Sequence, residues 1–351
     1  MPTKSEIPHS PIFDRIGCTP LVAVLSPSGR TIHSKLEYLN PSGSIKDRIA
    51  YNILRSHYHA IKTQHGGKVV EASSGNTSIS LAMVCQLMNL KFHAFLPDTA
   101  SVERGLTIRA YGGEMHYLSK DKDGLTPLTK AAKDFAHQEN AFFVDQFKNK
   151  LNYRAHEKTT GPEIIKDLGG KRVDVFVCGI GTGGTLVGVR RCLMDDDQNP
   201  VYRVPRLKTS KHLHDIGFTS KEVNRLFTDG ESVSEIQGLD DNAIDNVYVS
   251  EDDALNMTTY LWGKGLPVGP AAGTNFQAAE QVAQNLEQEA TIVTILTDRM
   301  ERYFSTPAFQ KIKEDLEYAE IKRQEKIAMN NIASILLADQ SFIKRIKEQL
   351  S

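Results

Sequence analysis

Short apolar runs alternate with longer amphipathic segments along most of this chain. Ile16-Gly17-Cys18-Thr19-Pro20-Leu21-Val22 is a turn feeding a short strand, with Thr31 to Leu36 as its expected hairpin partner. The apolar positions at Ile49 and from Tyr51 to Leu54 predict a helix. Gly67 to Ala72 reads as a buried strand that runs into the polar Ser73-Ser74-Gly75-Asn76-Thr77-Ser78 and then an apolar helix, Ile79 to Met88. Strands at Phe92–Leu96, Glu114–Leu118 and Ala141–Asp145 follow, separated by helices at Ser101–Tyr111 and Leu125–Gln138. A helix start with a Thr/Pro/Glu cap lies at Glu157–Ile165. A second series then begins: strand Val173–Ile180, helix Leu186–Leu193, strand Asn246–Ser250, helix Asp252–Gly263, strand Leu266–Gly269, helix Thr274–Leu286 and strand Thr291–Leu296. Alternation at these lengths predicts an α/β protein with two doubly wound parallel sheets, hence two domains and a cleft between them. From Pro307 to Ser351 the chain is charged and helical, with an apolar stripe at Ile332, Ile335, Leu336 and Leu337 that docking would bury.

Composition removes several function classes. Lys and Arg number 42 against 43 Asp and Glu, a net charge of -1, so no basic field exists to hold nucleic acid or an anionic membrane, and any bound anion must be held locally. The N-terminal stretch lacks an apolar core and no uncharged run is long enough to span a bilayer, which gives a cytoplasmic address by default and no membrane partner. Cys18, Cys85, Cys178 and Cys192 are scattered without metal-ligand spacing, so neither a zinc site nor a disulfide framework is expected.

Three stretches carry chemistry. In Asn40-Pro41-Ser42-Gly43-Ser44-Ile45-Lys46-Asp47-Arg48 a turn delivers Lys46 to a helix start, where the positive helix end and partial burial favour a neutral amine able to form a Schiff base. On this segment alone a solvated surface lysine is the commoner outcome. Gly181-Thr182-Gly183-Gly184-Thr185 follows a strand and precedes a helix, the context of a phosphate cradle with free N–H groups and hydroxyl donors. It lacks the lysine of a Walker loop and the spacing of a dinucleotide fingerprint. Ser73-Ser74-Gly75-Asn76-Thr77 offers hydroxyls, an amide and helix-start N–H groups to a carboxylate, or serves equally as an N-cap cluster. An amine, a lone phosphate cradle and a carboxylate-binding loop together point to pyridoxal 5'-phosphate.

These motifs, in this order and spacing, together with His156-Glu157-Lys158-Thr159-Thr160-Gly161-Pro162-Glu163, resemble the cysteine synthase (O-acetylserine sulfhydrylase) family. The likeness runs from Ile16 to Thr306 and leaves out the tail and an inner segment. It implies a tryptophan-synthase-β-like, fold type II pyridoxal-phosphate enzyme and a homodimer. Residues 1–44 and 151–306 would form the larger cofactor-binding domain, 45–150 the smaller mobile domain, and 307–351 a helical tail. By the same likeness Lys46 holds the cofactor as an imine and moves the Cα proton, Asn76 bonds the phenolic oxygen, and Gly181, Thr182, Gly183, Gly184 and Thr185 take the phosphate. Ser73, Ser74, Gly75, Thr77, Gln146 and Gly238 match substrate-binding positions. The implied reaction is β-replacement on an activated serine such as O-acetyl-L-serine through an aminoacrylate, with sulfide giving L-cysteine.

The chain also departs from the family. Where a hydroxyl residue is usual opposite the pyridine nitrogen, Val268-Gly269-Pro270-Ala271-Ala272-Gly273-Thr274 offers Ala271, leaving Thr274 or a water as the expected donor. Cys18 stands where asparagine is usual. Val201 to Glu235 loses the family pattern and gains Arg203, Arg206, Lys208, Lys211, His212 and His214; a solvated loop and a changed, anionic acceptor explain this equally well. Three functions therefore stay open: cysteine synthase; the same fold with another outcome, such as cystathionine, cyanoalanine or diaminopropionate formation or deamination; and a regulatory protein on a pyridoxal-phosphate fold.

Overall fold

The computed structural model describes residues 7–73, 75–118, 125–198, 200–207, 244–286, 289–309, 312–314, 317 and 320–330. The described residues up to Phe304 make one compact unit and those beyond it a second.

Two sheets organise the first unit. The larger runs β1 (Leu21–Leu25), β2 (Thr31–Leu36), β10 (Ile292–Leu296), β7 (Val175–Val177), β8 (Val201–Leu207), β9 (Ile244–Val249) in spatial order. Only the β1–β2 hairpin in it is antiparallel; Ile292 lies opposite both Ile32 and Val175 in the parallel part. The smaller sheet is wholly parallel, in the order β5 (Glu114–Leu118), β4 (Lys91–Pro97), β3 (Lys68–Ala72), β6 (Phe142–Phe143). Burial explains the apolar strand runs: every residue of β10 and β7 is buried, because helices cover both faces of a parallel sheet. Helices α1 (Lys46–Gln64), α2 (Asn76–Leu87), α3 (Val102–Ala110) and α4 (Leu125–Gln138) serve the smaller sheet. Helices α5 (Leu151–Lys158), α6 (Thr160–Asp167), α7 (Gly184–Asp195), α8 (Glu251–Gly263) and α9 (Pro270–Gln284) serve the larger. Ile49, Ile53, Leu54, Ile79, Leu81 and Val84 build one core, and Phe276, Leu261, Val177 and Leu296 belong to another.

Several expectations are corrected. The helix start at Glu157–Ile165 is two helices, α5 and α6, broken at Thr159, and α5 begins well upstream at Leu151. Leu266–Gly269 is not a strand; only Val268 makes a bridge, to Arg299. The helix expected from Thr274 starts at Pro270, where the missing N–H costs nothing in a first turn. Val201–Leu207 is a strand despite Pro205, because β7 ends opposite Arg203 and Pro205 has no ladder partner on that side. In the second unit a 3-10 turn covers Pro307–Phe309, and the helical stretch 320–330 is exposed and charged. The apolar stripe from Ile332 to Leu337 lies outside the described residues, as do Lys208, Lys211, His212 and His214. Among the described residues no helix is long and apolar enough to cross a membrane, and no group of His, Cys, Asp and Glu is arranged to hold a metal. All four cysteines are free thiols.

Candidate active site

Parallel strands deliver their following loops to one end of a sheet, and here β3 leads to the loop at 73–77, β7 to the glycine loop and β10 to Asp298. Lys46 opens α1. Its loop is pinned to the segment after β10 by Ile45 N donating to Thr297 O (3.0 Å) and by a bridge between Ser44 and Asp298. The neighbours of Lys46 are anchors rather than chemistry. Arg48 grips Glu37 with Nε and Nη2 and Glu163 with Nη1 and Nη2, all at 2.7 Å. Burial raises the Glu37 carboxyl, but Arg48 beside it wins and holds it below the ordinary range. Asp47 caps the turn below, accepting from Ser42 N (2.7 Å) and the Ser42 hydroxyl.

The Lys46 amine itself has no hydrogen-bond or ion-pair partner among the described residues. Burial holds its pKa below the ordinary value, against the weaker pull of Cys178, Asp298 and Glu37, so the neutral nucleophile is favoured. The Cys178 thiol, at the end of β7, is pushed up to about 12 by burial and stays protonated.

The glycine loop sits in the same neighbourhood. Gly183 takes φ +81° and precedes α7; Gly184 N donates to Thr182 Oγ1 (3.4 Å), and the N-cap glycine has no side chain, so the other first-turn N–H groups and the positive helix end are available to an anion. A Cβ at Gly181 would find open space. A Cβ at Gly184 would overlap Asn152 Oδ1. Asn152, on α5, donates from Nδ2 to Gln146 O and to Thr182 Oγ1, both at 2.8 Å, and so ties the glycine loop to Gln146, three residues past β6. Thr185 Oγ1 lies 3.4 Å from His156 Nε2; burial, then Arg48 and Lys46, keep that imidazole neutral.

At the carboxylate loop Ser73 Oγ is turned inward, 2.8 Å from Ser78 Oγ and accepting from Gly75 N and Ser78 N. Gly75 has φ +150°, and a Cβ there would overlap Arg104 Cδ. Thr77 and Gln146 are brought together: Thr77 Oγ1 donates to Gln146 Oε1 (2.7 Å), and Gln146 Nε2 donates to Ala72 O (3.1 Å). Behind them the Glu71 carboxyl accepts from Gln146 N and Ala72 N, and burial pushes it up to about 8. Ser74 and Gly238 lie outside the described residues. Thr274 Oγ1 donates to Pro270 O (3.1 Å) within the first turn of α9, so its hydroxyl hydrogen is already engaged, and Ala271 on the same turn has no side-chain donor.

Sequence reasoning missed the partners of Asn76. Its Nδ2 donates to Asp298 Oδ2 (2.7 Å) and its Oδ1 accepts from Arg302 Nη1 (2.5 Å), while Tyr303 OH donates to the same Asp298 oxygen (2.6 Å). The position of Asp298, two residues past a parallel strand's end, was the available signal. Asn275 was also missed: it accepts from Gly179 N and donates to Ile295 O, holding α9 to the start of the glycine loop.

A helix start with free first-turn N–H groups beside an open glycine, and a desolvated amine with no hydrogen-bond or ion-pair partner among the described residues, fit a phosphate-bearing aldehyde. The family model for pyridoxal-phosphate dependent enzymes matches residues 12–298, and the chain belongs to that family. Cysteine synthase B of Campylobacter jejuni subsp. jejuni serotype O:2 is 36% identical over 312 residues, which cover 86% of this chain and 99% of that protein. Among solved structures, an O-ureido-L-serine synthase superposes with a TM-score of 0.74 at 32% identity, covering 85% of this chain and 94% of that one. An O-acetylserine dependent cystathionine beta-synthase from Helicobacter pylori does so with a TM-score of 0.73 at 27% identity, covering 86% and 99%. Within the family, then, this is a pyridoxal-phosphate dependent enzyme of cysteine synthase type, with fold type II architecture.

Proposed function

We propose that this enzyme replaces the β-substituent of an activated L-serine, with O-acetyl-L-serine as donor and sulfide as acceptor, giving L-cysteine. The observation that carries this reading is the Lys46 amine: desolvated, without an ionic partner among the described residues, and in the neighbourhood of an anion-receptive helix start. Pyridoxal phosphate, when bound, supplies an electron sink for the pair released at the amino acid's Cα. Lys46 would hold the aldehyde and would serve as the group that takes the Cα proton, which a neutral amine can do and an ammonium cannot. The N–H groups and hydroxyls of Gly181, Thr182, Gly183, Gly184 and Thr185 hold the phosphate, and Asn76 donates to the phenolic oxygen. Thr77 and Gln146, with the 73–77 loop, orient the substrate carboxylate; their mutual hydrogen bond supports a single preset geometry. Residues 45–150 act as the smaller layer that moves toward the larger one, 1–44 with 151–306, to exclude water. The active species is a homodimer.

A second reading keeps the donor chemistry and changes the acceptor. It is favoured by Ala271, which removes the side-chain donor usual in cysteine synthases, and by structural relatives whose names record other products. The test is a donor-by-acceptor activity matrix on cofactor-loaded protein with products identified by mass. Cysteine from O-acetylserine and sulfide, at higher kcat/KM than any other pair, supports the first reading; a different preferred acceptor replaces it with the second.

A further inference from the structure

Asn76 is held at both ends by ions. Its Nδ2 faces the Asp298 carboxylate and its Oδ1 faces the Arg302 guanidinium. A carboxylate only accepts and a guanidinium only donates, so the amide has one allowed orientation. Both ions are themselves fixed. Asp298 is fully buried and also accepts from Tyr303 OH (2.6 Å) and Thr297 Oγ1 (3.3 Å). Arg302, 6% exposed, donates to Ser42 O in the Lys46 loop, and its own carbonyl accepts from Ser101 Oγ (2.7 Å). Arg104 lies over the Tyr303 ring at 4.8 Å and closes the cluster from α3.

We propose that Asp298 and Arg302 are positioning residues that make Asn76 a committed N–H donor toward the cofactor's phenolic oxygen. One Nδ2 hydrogen is taken by Asp298; the other has no partner among the described residues and is left for the phenolic oxygen, while Arg302 holds the carbonyl end away from that role. The clamp therefore sets the charge state of the ring oxygen, stabilising phenolate over neutral phenol. This deepens the proposed function and rests on the Lys46 and Asn76 assignments made there. A purely structural role, stapling α2 to the segment after β10, would leave the cofactor's spectrum unchanged.

The test uses the cofactor-loaded enzyme and its Asp298→Ala, Arg302→Gln and Arg302→Lys variants. Each is measured for the ratio of visible to near-ultraviolet cofactor absorbance, for borohydride labelling at Lys46, and for far-ultraviolet circular dichroism. Loss of a hydrogen bond to a charged oxygen shifts the phenolate-to-phenol ratio roughly tenfold. Either ion alone still biases the amide, so Asp298→Ala and Arg302→Gln should each lower the visible-to-near-ultraviolet ratio by about half that order on the logarithmic scale, and their combination by the full order, with Lys46 still labelled. Arg302→Lys, which keeps a donor-only group, should restore most of it. Should Asp298→Ala fail to fold, Arg302→Gln carries the test with Arg302→Lys as its rescue. An unchanged ratio with labelled Lys46 overturns the clamp alone. An unlabelled Lys46 in the wild-type enzyme overturns the clamp together with the function it rests on.

Discussion

The glycine loop can be broken by one methyl group, and the structure says why. A Cβ at Gly184 would overlap Asn152 Oδ1, and Asn152 cannot retreat without giving up its hydrogen bonds to Gln146 O and Thr182 Oγ1. The Gly184→Ala enzyme must either accept the overlap, at about 1–3 kcal/mol, or lose two buried hydrogen bonds at about 1 kcal/mol each. Either way the loop leaves the geometry that holds the phosphate, and about 1–3 kcal/mol appears as a roughly 5- to 150-fold rise in the dissociation constant for pyridoxal phosphate. Asn152→Ala provides the control. It removes the obstructing oxygen, so Gly184→Ala in that background should cost little further, and the double-mutant cycle should show coupling of about 1–3 kcal/mol. Equilibrium dialysis of the cofactor against the four proteins measures this. Wild-type affinity in Gly184→Ala, or strict additivity with Asn152→Ala, would refute the reasoning.

Two further outcomes follow from the buried ions. Arg48→Met leaves Glu37, which has no exposed surface, without its bidentate partner, so urea unfolding should show a loss of about 3–5 kcal/mol even in the cofactor-free protein. Glu71 gives a pH dependence whose sign is fixed. Its folded carboxyl keeps the proton up to about 8, whereas an unfolded glutamate releases it near about 4.3. The folded state binds more protons in that window, so the contribution is fully present below it and is lost as pH climbs, with a limiting slope on the order of 1.4 kcal/mol per pH unit. Glu71→Gln should flatten the profile; an identical profile in the variant would show that the carboxyl does not titrate in this range.

Much of this architecture is legible in the sequence because parallel strands buried on both faces leave short apolar runs that little else produces. Glu114–Leu118 and Leu125–Gln138 match the expected elements end for end, and the glycine loop announces itself by strand, glycines and helix. What escapes is what depends on distant residues. Pro205 in β8 is tolerated only because β7 stops short. Pro270 begins α9 rather than ending a strand because Gly269 N bonds to Asp298 O, and Asp298 is reached only through β10. Lys46 is visible in the sequence as an amine at a helix start, but its lack of an ionic partner among the described residues is a property of packing. The ions around Asn76 come from residues 298 and 302, over two hundred positions away, and no local pattern signals that meeting.

The amine of Lys46 is where the cofactor would be joined to the chain, and the measurement that reaches it most directly is reductive trapping. Cofactor-loaded protein is treated with borohydride, digested and mapped by mass. A single pyridoxyl-phosphate mass increment on the peptide carrying Lys46, absent in Lys46→Ala, is the expected result; a label on a different lysine, or none after full reconstitution, would contradict it.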